Sequence, residues 1–173
     1  AVARIAQTPK FFTYLADRRA QISIVVGDGR RRIAECADGR FDLIVLDAFS
    51  SDAIPVHLLT KEAVALYLLK LKPGGCLALH LTNGYLALDP VVAAIAAELR
   101  APAAVKGDAT RTPQQAFEGK DLSKWGVIVR DENDFPVREA DGWVRAVPES
   151  RSAAKAFLWT DDRSNLVGLL RAH

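Results

Sequence analysis

The run Phe41-Asp42-Leu43-Ile44-Val45-Leu46-Asp47 constrains this chain more than any other feature. Branched apolar residues in unbroken succession read as a strand buried on both faces, the kind that parallel sheets contain. The run ends abruptly at an acid, Asp47. A second acid, Asp52, follows in Ala48-Phe49-Ser50-Ser51-Asp52-Ala53-Ile54-Pro55, which is too polar and too Pro-broken to continue the strand. Open α/β sheets bind ligands in the crevice beyond the carboxyl ends of their strands. A carboxylate at such a tip can hold a cation or take a proton from an attacking amine. Two plainer readings stand beside this one: Asp47 as an ion-paired strand end, and Asp52 as the cap of its own turn.

The rest of the chain alternates between strand and helix patterns. Ile22 to Val26 reads as a short strand closed by Gly27-Asp28-Gly29, and Arg30 to Ala37 has helical apolar spacing. Thr60 is an N-cap candidate for a helix through Leu71, which Pro73-Gly74-Gly75 should end. Cys76 to Leu81 forms a third strand, ending in Thr82-Asn83-Gly84-Tyr85. Asp89-Pro90 opens a helix through Arg100, with Asp89 as its cap. Further strands are expected around Val105 and over Trp125 to Val129, with a long polar loop from Thr110 to Lys124 and a short helix from Asn165 to Arg171. This alternation predicts an α/β fold with a mostly parallel sheet, as a single domain over 1–173.

Several polar residues sit where the pattern places strand ends. Gly27-Asp28-Gly29 forms a strand-to-helix turn, where glycine permits close approach of a ligand and Asp28 can accept from an amino group such as an adenine N6. Asp28 reads equally as a helix cap. Asn83 and Tyr85 end the third strand on the crevice side. His80, inside an apolar strand, reads as a hydrogen-bonded core histidine, and His57 as a loop histidine. Asp161 and Asp162 read as acids at a helix start. No Cys/His/acid spacing suits a metal, and no serine lies in a nucleophile-elbow motif.

Composition narrows the classes. A 173-residue chain, half hydrophobic and a quarter charged, is an ordinary one-domain length with a sizeable core. The net charge of +2 and a single basic run, Arg30-Arg31-Arg32, give no nucleic-acid signature. Cys36 and Cys76 read as buried thiols, which fits a cytoplasmic setting. No stretch is apolar and long enough to span a bilayer. The sequence holds no methionine and opens in a helical pattern, so the expectation is a piece of a longer protein.

Three segments then point to a family: Ile24-Val25-Val26-Gly27-Asp28-Gly29-Arg30, Phe41 to Asp47, and Leu71-Lys72-Pro73-Gly74-Gly75-Cys76-Leu77. In that order they resemble the spermidine synthase-like (polyamine aminopropyltransferase) family. The stretch from Asp47 to Thr60, with Trp159-Thr160-Asp161-Asp162 and Ser164-Asn165-Leu166, resembles its bacterial membrane-fused branch, in which the domain follows transmembrane helices. The resemblance implies a Rossmann-like S-adenosylmethionine-dependent methyltransferase fold. It also implies decarboxylated S-adenosylmethionine (or S-adenosylmethionine) as co-substrate, no metal, and a diamine such as putrescine as acceptor in polyamine biosynthesis. By position, Gly27, Asp28 and Gly29 would bind the cofactor, Asp47 would be catalytic, and Asp52 and Tyr85 would contact the acceptor.

The family's glycine-rich loop and its ribose-binding acid have no counterpart here, so the first two strands are expected to be missing and the fragment weak or inactive. Open sheet edges would then favour a dimer or a rearranged sheet. A small-molecule methyltransferase and a non-catalytic interaction domain are the alternatives.

Overall fold

The computed structural model describes residues 2–17, 20–48, 55–83, 85–108 and 110–170. The chain divides into two compact units, Ala1–Glu35 and Cys36–His173.

The first unit holds two short helices, α1 (Val2–Ala6) and α2 (Gly29–Ala34). Ile22 to Val26, expected as a strand, forms none. Its β-branched residues are suited to a pleated ladder, but a strand exists only where a neighbour supplies hydrogen bonds. Ile22, Ile24, Val25 and Val26 are all exposed.

The second unit is built on a five-stranded sheet. Its strands are β1 (Phe41–Leu46), β2 (Leu71–His80), β3 (Ala103–Asp108), β4 (Ser123–Val129) and β5 (Val144–Arg145), in the spatial order β1-β2-β4-β3-β5. The α/β class is as expected, but the mostly parallel sheet is not. Only β1 and β2 pair in parallel, while β2–β4, β4–β3 and β3–β5 are antiparallel. The cause is β4, which runs against β2 and β3 and lies between them. β1, β2 and β3 therefore share one direction, yet β3 touches no strand that runs its way. Hydrophobic pattern marks a strand as buried and leaves its direction open.

Helices α3 (Lys61–Lys70), α4 (Asp89–Leu99), α5 (Pro113–Phe117) and α6 (Arg151–Phe157) complete the unit. On α3, Ala63, Val64, Tyr67 and Leu68 make one buried stripe, the spacing of a helix with one face on a core. On α4 every residue from Val91 to Ala96 is buried, because the helix meets the sheet, α3 and α6. The facing sheet residues are Ile44 and Leu46 of β1 and Leu77 and Leu79 of β2, all buried. Their neighbours Leu43 and Val45 point to the opposite face and are about half exposed.

Pro73-Gly74-Gly75 does not follow the helix as a separate turn. α3 ends at Lys70, β2 begins at Leu71, and the tripeptide bulges out of β2. Phe41 pairs with Leu71 and Leu43 with Cys76, so the extra residues of β2 stand opposite Asp42 alone.

The C-terminal segment returns to α3. The Lys61 N–H donates to the Trp159 carbonyl at 2.8 Å, and Trp159 is fully buried. Asn165, expected to begin a helix, instead holds a single 3-10 turn over Val167–Leu169 by accepting from the Gly168 N–H. Among the described residues no helix is long and apolar enough to cross a membrane.

Candidate functional site

β1 and β2 run side by side in register, Val45 against Ala78 and Leu46 against Leu79. The next position on each strand is polar: Asp47 after β1 and His80 at the end of β2. Continued registry brings the two together on the face that carries Leu43 and Val45. His80 Nδ1 lies 2.7 Å from Asp47 Oδ1. The Asp47 side chain is 55% exposed and that of His80 is 23% exposed. Across the sheet His80 pairs with Trp125 of β4, and the two rings stack at 4.7 Å between centroids.

An ionised carboxylate only accepts hydrogen bonds. The contact with Asp47 therefore places the proton of a neutral imidazole on Nδ1 and the lone pair on Nε2. The indole fixes the plane of the ring. The result is an acid and an imidazole held at the carboxyl edge of two parallel strands.

The chain beyond β2 is pinned by local bonds. Leu81 N–H donates to the Lys124 carbonyl, and Lys124 N–H to Thr82 Oγ1. Asn83, buried, accepts from the N–H groups of Tyr85 and Leu86 at 2.8 and 2.9 Å. Asn83 thus shapes the turn, and the Tyr85 ring stands exposed beyond it. Asp52, with Ser50 and Ser51, lies outside the described residues.

In the first unit Asp28 caps α2, its Oδ1 accepting from the Arg31 N–H at 2.9 Å. Gly27 has φ +149°, and a Cβ there would come within 2.7 Å of Arg32 Nε, which folds back to donate to the Val26 carbonyl. Gly29 opens α2, with empty space where a Cβ would stand.

Asp89 does not cap α4, as the sequence suggested; Leu88 holds that position, and Asp89 Oδ2 meets Lys124 Nζ at 2.5 Å. Two cavities, of about 400 and 340 Å³, border the Arg145 to Pro148 segment beside α4, and neither is lined by Asp47 or His80. Among the described residues no group of three or more His, Cys, Asp or Glu is placed to hold a metal.

Sequence reasoning missed His80 and Trp125. The signal was present: Leu43 to Asp47 and Cys76 to His80 both run apolar into a polar end, and aligning the two as parallel neighbours sets Asp47 against His80.

No family model and no curated protein matches this sequence. Solved structures do. A probable spermidine synthase from Corynebacterium glutamicum ATCC 13032 superposes with a TM-score of 0.59 at 17% identity, over 99% of this chain and 63% of that one. MnmC2 from Aquifex aeolicus gives a TM-score of 0.44 at 19% identity, over 77% of this chain and 40% of that one. The first comparison shows a spermidine synthase-like fold. This chain spans 63% of the length of that protein.

Proposed function

We propose that this chain is part of a spermidine synthase-like transferase, which moves an aminopropyl group from decarboxylated S-adenosylmethionine to a diamine such as putrescine. The observation that carries this reading is the Asp47 carboxylate at the tip of β1, beside His80, in a fold shared with a probable spermidine synthase.

The chemistry asks for such a group. A primary amine is protonated at neutral pH and cannot attack until it loses a proton. In this reading the carboxylate draws the cationic acceptor to the crevice, and the proton leaves with the Asp47–His80 pair. The freed nitrogen attacks the carbon next to the sulfonium; the N–C bond forms, the C–S bond breaks and its electron pair stays on sulfur. Alignment of nitrogen and carbon supplies much of the acceleration.

Asp52 and Tyr85 are proposed to contact the acceptor. Gly27, Asp28 and Gly29 are proposed to bind the adenosyl part of the donor. An ionised carboxylate offers two oxygens with about four acceptor sites, so capping α2 through the Arg31 N–H does not by itself bar Asp28 from meeting an adenine amino group. The reading also carries self-association. β1 is an end strand among the described residues, with Leu43 and Val45 exposed, and open strand edges pair with other chains.

The test is an assay with putrescine and either decarboxylated S-adenosylmethionine or S-adenosylmethionine, with products identified by mass. Spermidine from the first donor, lost in Asp47→Asn, supports the reading. Methylated amine from the second alone would replace it with a methyltransferase. Sedimentation velocity reads the oligomer, and a monomer at all concentrations would remove self-association.

A further inference from the structure

We propose that the cavity bordered by α4, α6 and the Arg145 to Glu149 segment is a binding site for a protonated amine carried on an aliphatic body. Neither Asp47 nor His80 borders it, and the inference does not rest on the transferase reading.

The walls call for the aliphatic body. The cavity volume, about 340 Å³, falls within the range of small-molecule sites, roughly 300–1,000 Å³. Pro90 and Ala93 of α4, Val105 of β3, Val147, and Ala153 and Phe157 of α6 give it a mostly apolar lining. Ala153 and Phe157 are four positions apart and share one face of their helix. Arg151 and Lys155 stand two positions from that pair, on the far side of α6, and both are exposed. Their charges therefore face solvent, and burying a hydrocarbon against the lining is favourable.

The border calls for the cation. Asp89 has one oxygen on Lys124 Nζ at 2.5 Å, while its Oδ1 is buried with no hydrogen-bond partner among the described residues. Arg145 is shared by Glu132 and Glu139. Glu149 is exposed and has no ion pair among the described residues. Two cations, Lys124 and Arg145, thus meet four carboxylates, Asp89, Glu132, Glu139 and Glu149, and the balance is negative. The start of α4 favours anions, but Asp89 already stands in its first turn and offsets it. An apolar lining lowers the local dielectric, so the uncompensated carboxylates act on a guest cation more strongly than they would in water.

The test is a titration of the full chain at neutral pH, followed by amide NMR. The probes are n-hexylamine, n-hexanol and n-hexanoate, which share a body and differ in charge. Hexylamine should give saturable shift changes at Ala93, Val105 and Ala153, and bind at least about tenfold more tightly than hexanoate. Putrescine, which has a second charge in place of the apolar end, should bind more weakly than hexylamine. Hexanol, hexanoate or putrescine bound as tightly as hexylamine overturns the proposal. So does a hexylamine response that is absent, or confined to the surroundings of Asp47 and His80.

Two variants separate charge from shape. Glu149→Gln removes an exposed, unpaired carboxylate and should weaken hexylamine about two- to fivefold while leaving hexanol unchanged. Ala153→Leu fills the cavity from α6 and should abolish the response to both, in a chain whose remaining amide spectrum is that of the wild type. Unchanged hexylamine binding in either variant overturns the proposal.

Discussion

Thr60 and Asp161, 101 positions apart, are joined by a 2.7 Å hydrogen bond in which the Thr60 hydroxyl donates to the carboxylate. The same hydroxyl accepts from the Ala63 N–H at 3.2 Å and so caps α3. Glu62 completes the junction by accepting from the Asp161 N–H. Two separate stretches that carried the family resemblance, one ending at Thr60 and the other spanning Trp159 to Asp162, thus meet at one helix start.

Replacing Thr60 by valine keeps the shape and removes both hydrogen bonds. The expected loss of stability is about 2 kcal/mol, the upper part of the range for a lost N-cap, because Thr60 is buried and its partners lose an internal bond. Thr60→Ser retains the hydroxyl and loses one buried methyl group, so it should cost less than the valine variant, about 0.5–1.5 kcal/mol. Urea unfolding of the two variants separates the hydroxyl from the methyl group.

Gly75 and Gly74 are both glycines of the β2 bulge, for different reasons. A Cβ at Gly75 would stand 3.0–3.1 Å from the carbonyl oxygens of Asp42, Lys72 and Phe41, all backbone atoms. Gly74 has open space but φ +78°. Gly75→Ala and Gly75→Asn should both cost about 1–3 kcal/mol, as overpacking does. At Gly74, alanine should cost about 1–2 kcal/mol and asparagine less, since asparagine tolerates left-handed backbone. Denaturation midpoints of the four variants test the distinction.

Arg100 ends α4 in the left-handed conformation, φ 51°, with the Ala101 N–H reaching back to the Ala96 carbonyl. It is the one non-glycine residue with positive φ among those described. Arg100→Gly should therefore raise stability, by about 0.5–1 kcal/mol after the added freedom of the unfolded chain is deducted. A lower melting temperature would contradict this account of the helix end.

Burial pushes the Cys76 thiol above its ordinary value of 9.0. The folded chain then holds this proton at pH values where the unfolded chain has released it. The contribution is fully present below pH 9.0 and fades as pH rises through the raised folded value. Guanidinium unfolding between pH 8 and 11 should show a fall in stability above about pH 9 that is smaller in Cys76→Ala, and alkylation of Cys76 should be slower in the folded chain than in the unfolded one.

Much of the second unit was legible in the sequence. β1, α3 with its Thr60 cap, and α4 with Pro90 in its first turn follow from apolar periodicity and cap chemistry, which are local. Ile22 to Val26 was misread because a β-branched run states a preference that only a neighbouring strand can satisfy. The direction of β4 was hidden for the same reason. α6 escaped notice because its seven residues, Arg151–Phe157, carry no buried stripe. Asp47 was singled out as a strand-end acid, but its partner was not: His80 looked like a core residue until the register of β1 and β2 showed that it too ends a strand.

The place of β4 has a consequence for how the chain is made. β2 needs β4 for half of its backbone pairing, and β3, synthesised between them, needs β4 as well. As the polypeptide leaves the ribosome, β2 must wait with one flank bare, and β3 with both, until Ser123 to Val129 emerges. Long-range pairing of this kind slows folding and leaves strands open to wrong partners. Any chaperone dependence of this protein should thus be concentrated in the interval between the emergence of β2 and that of β4.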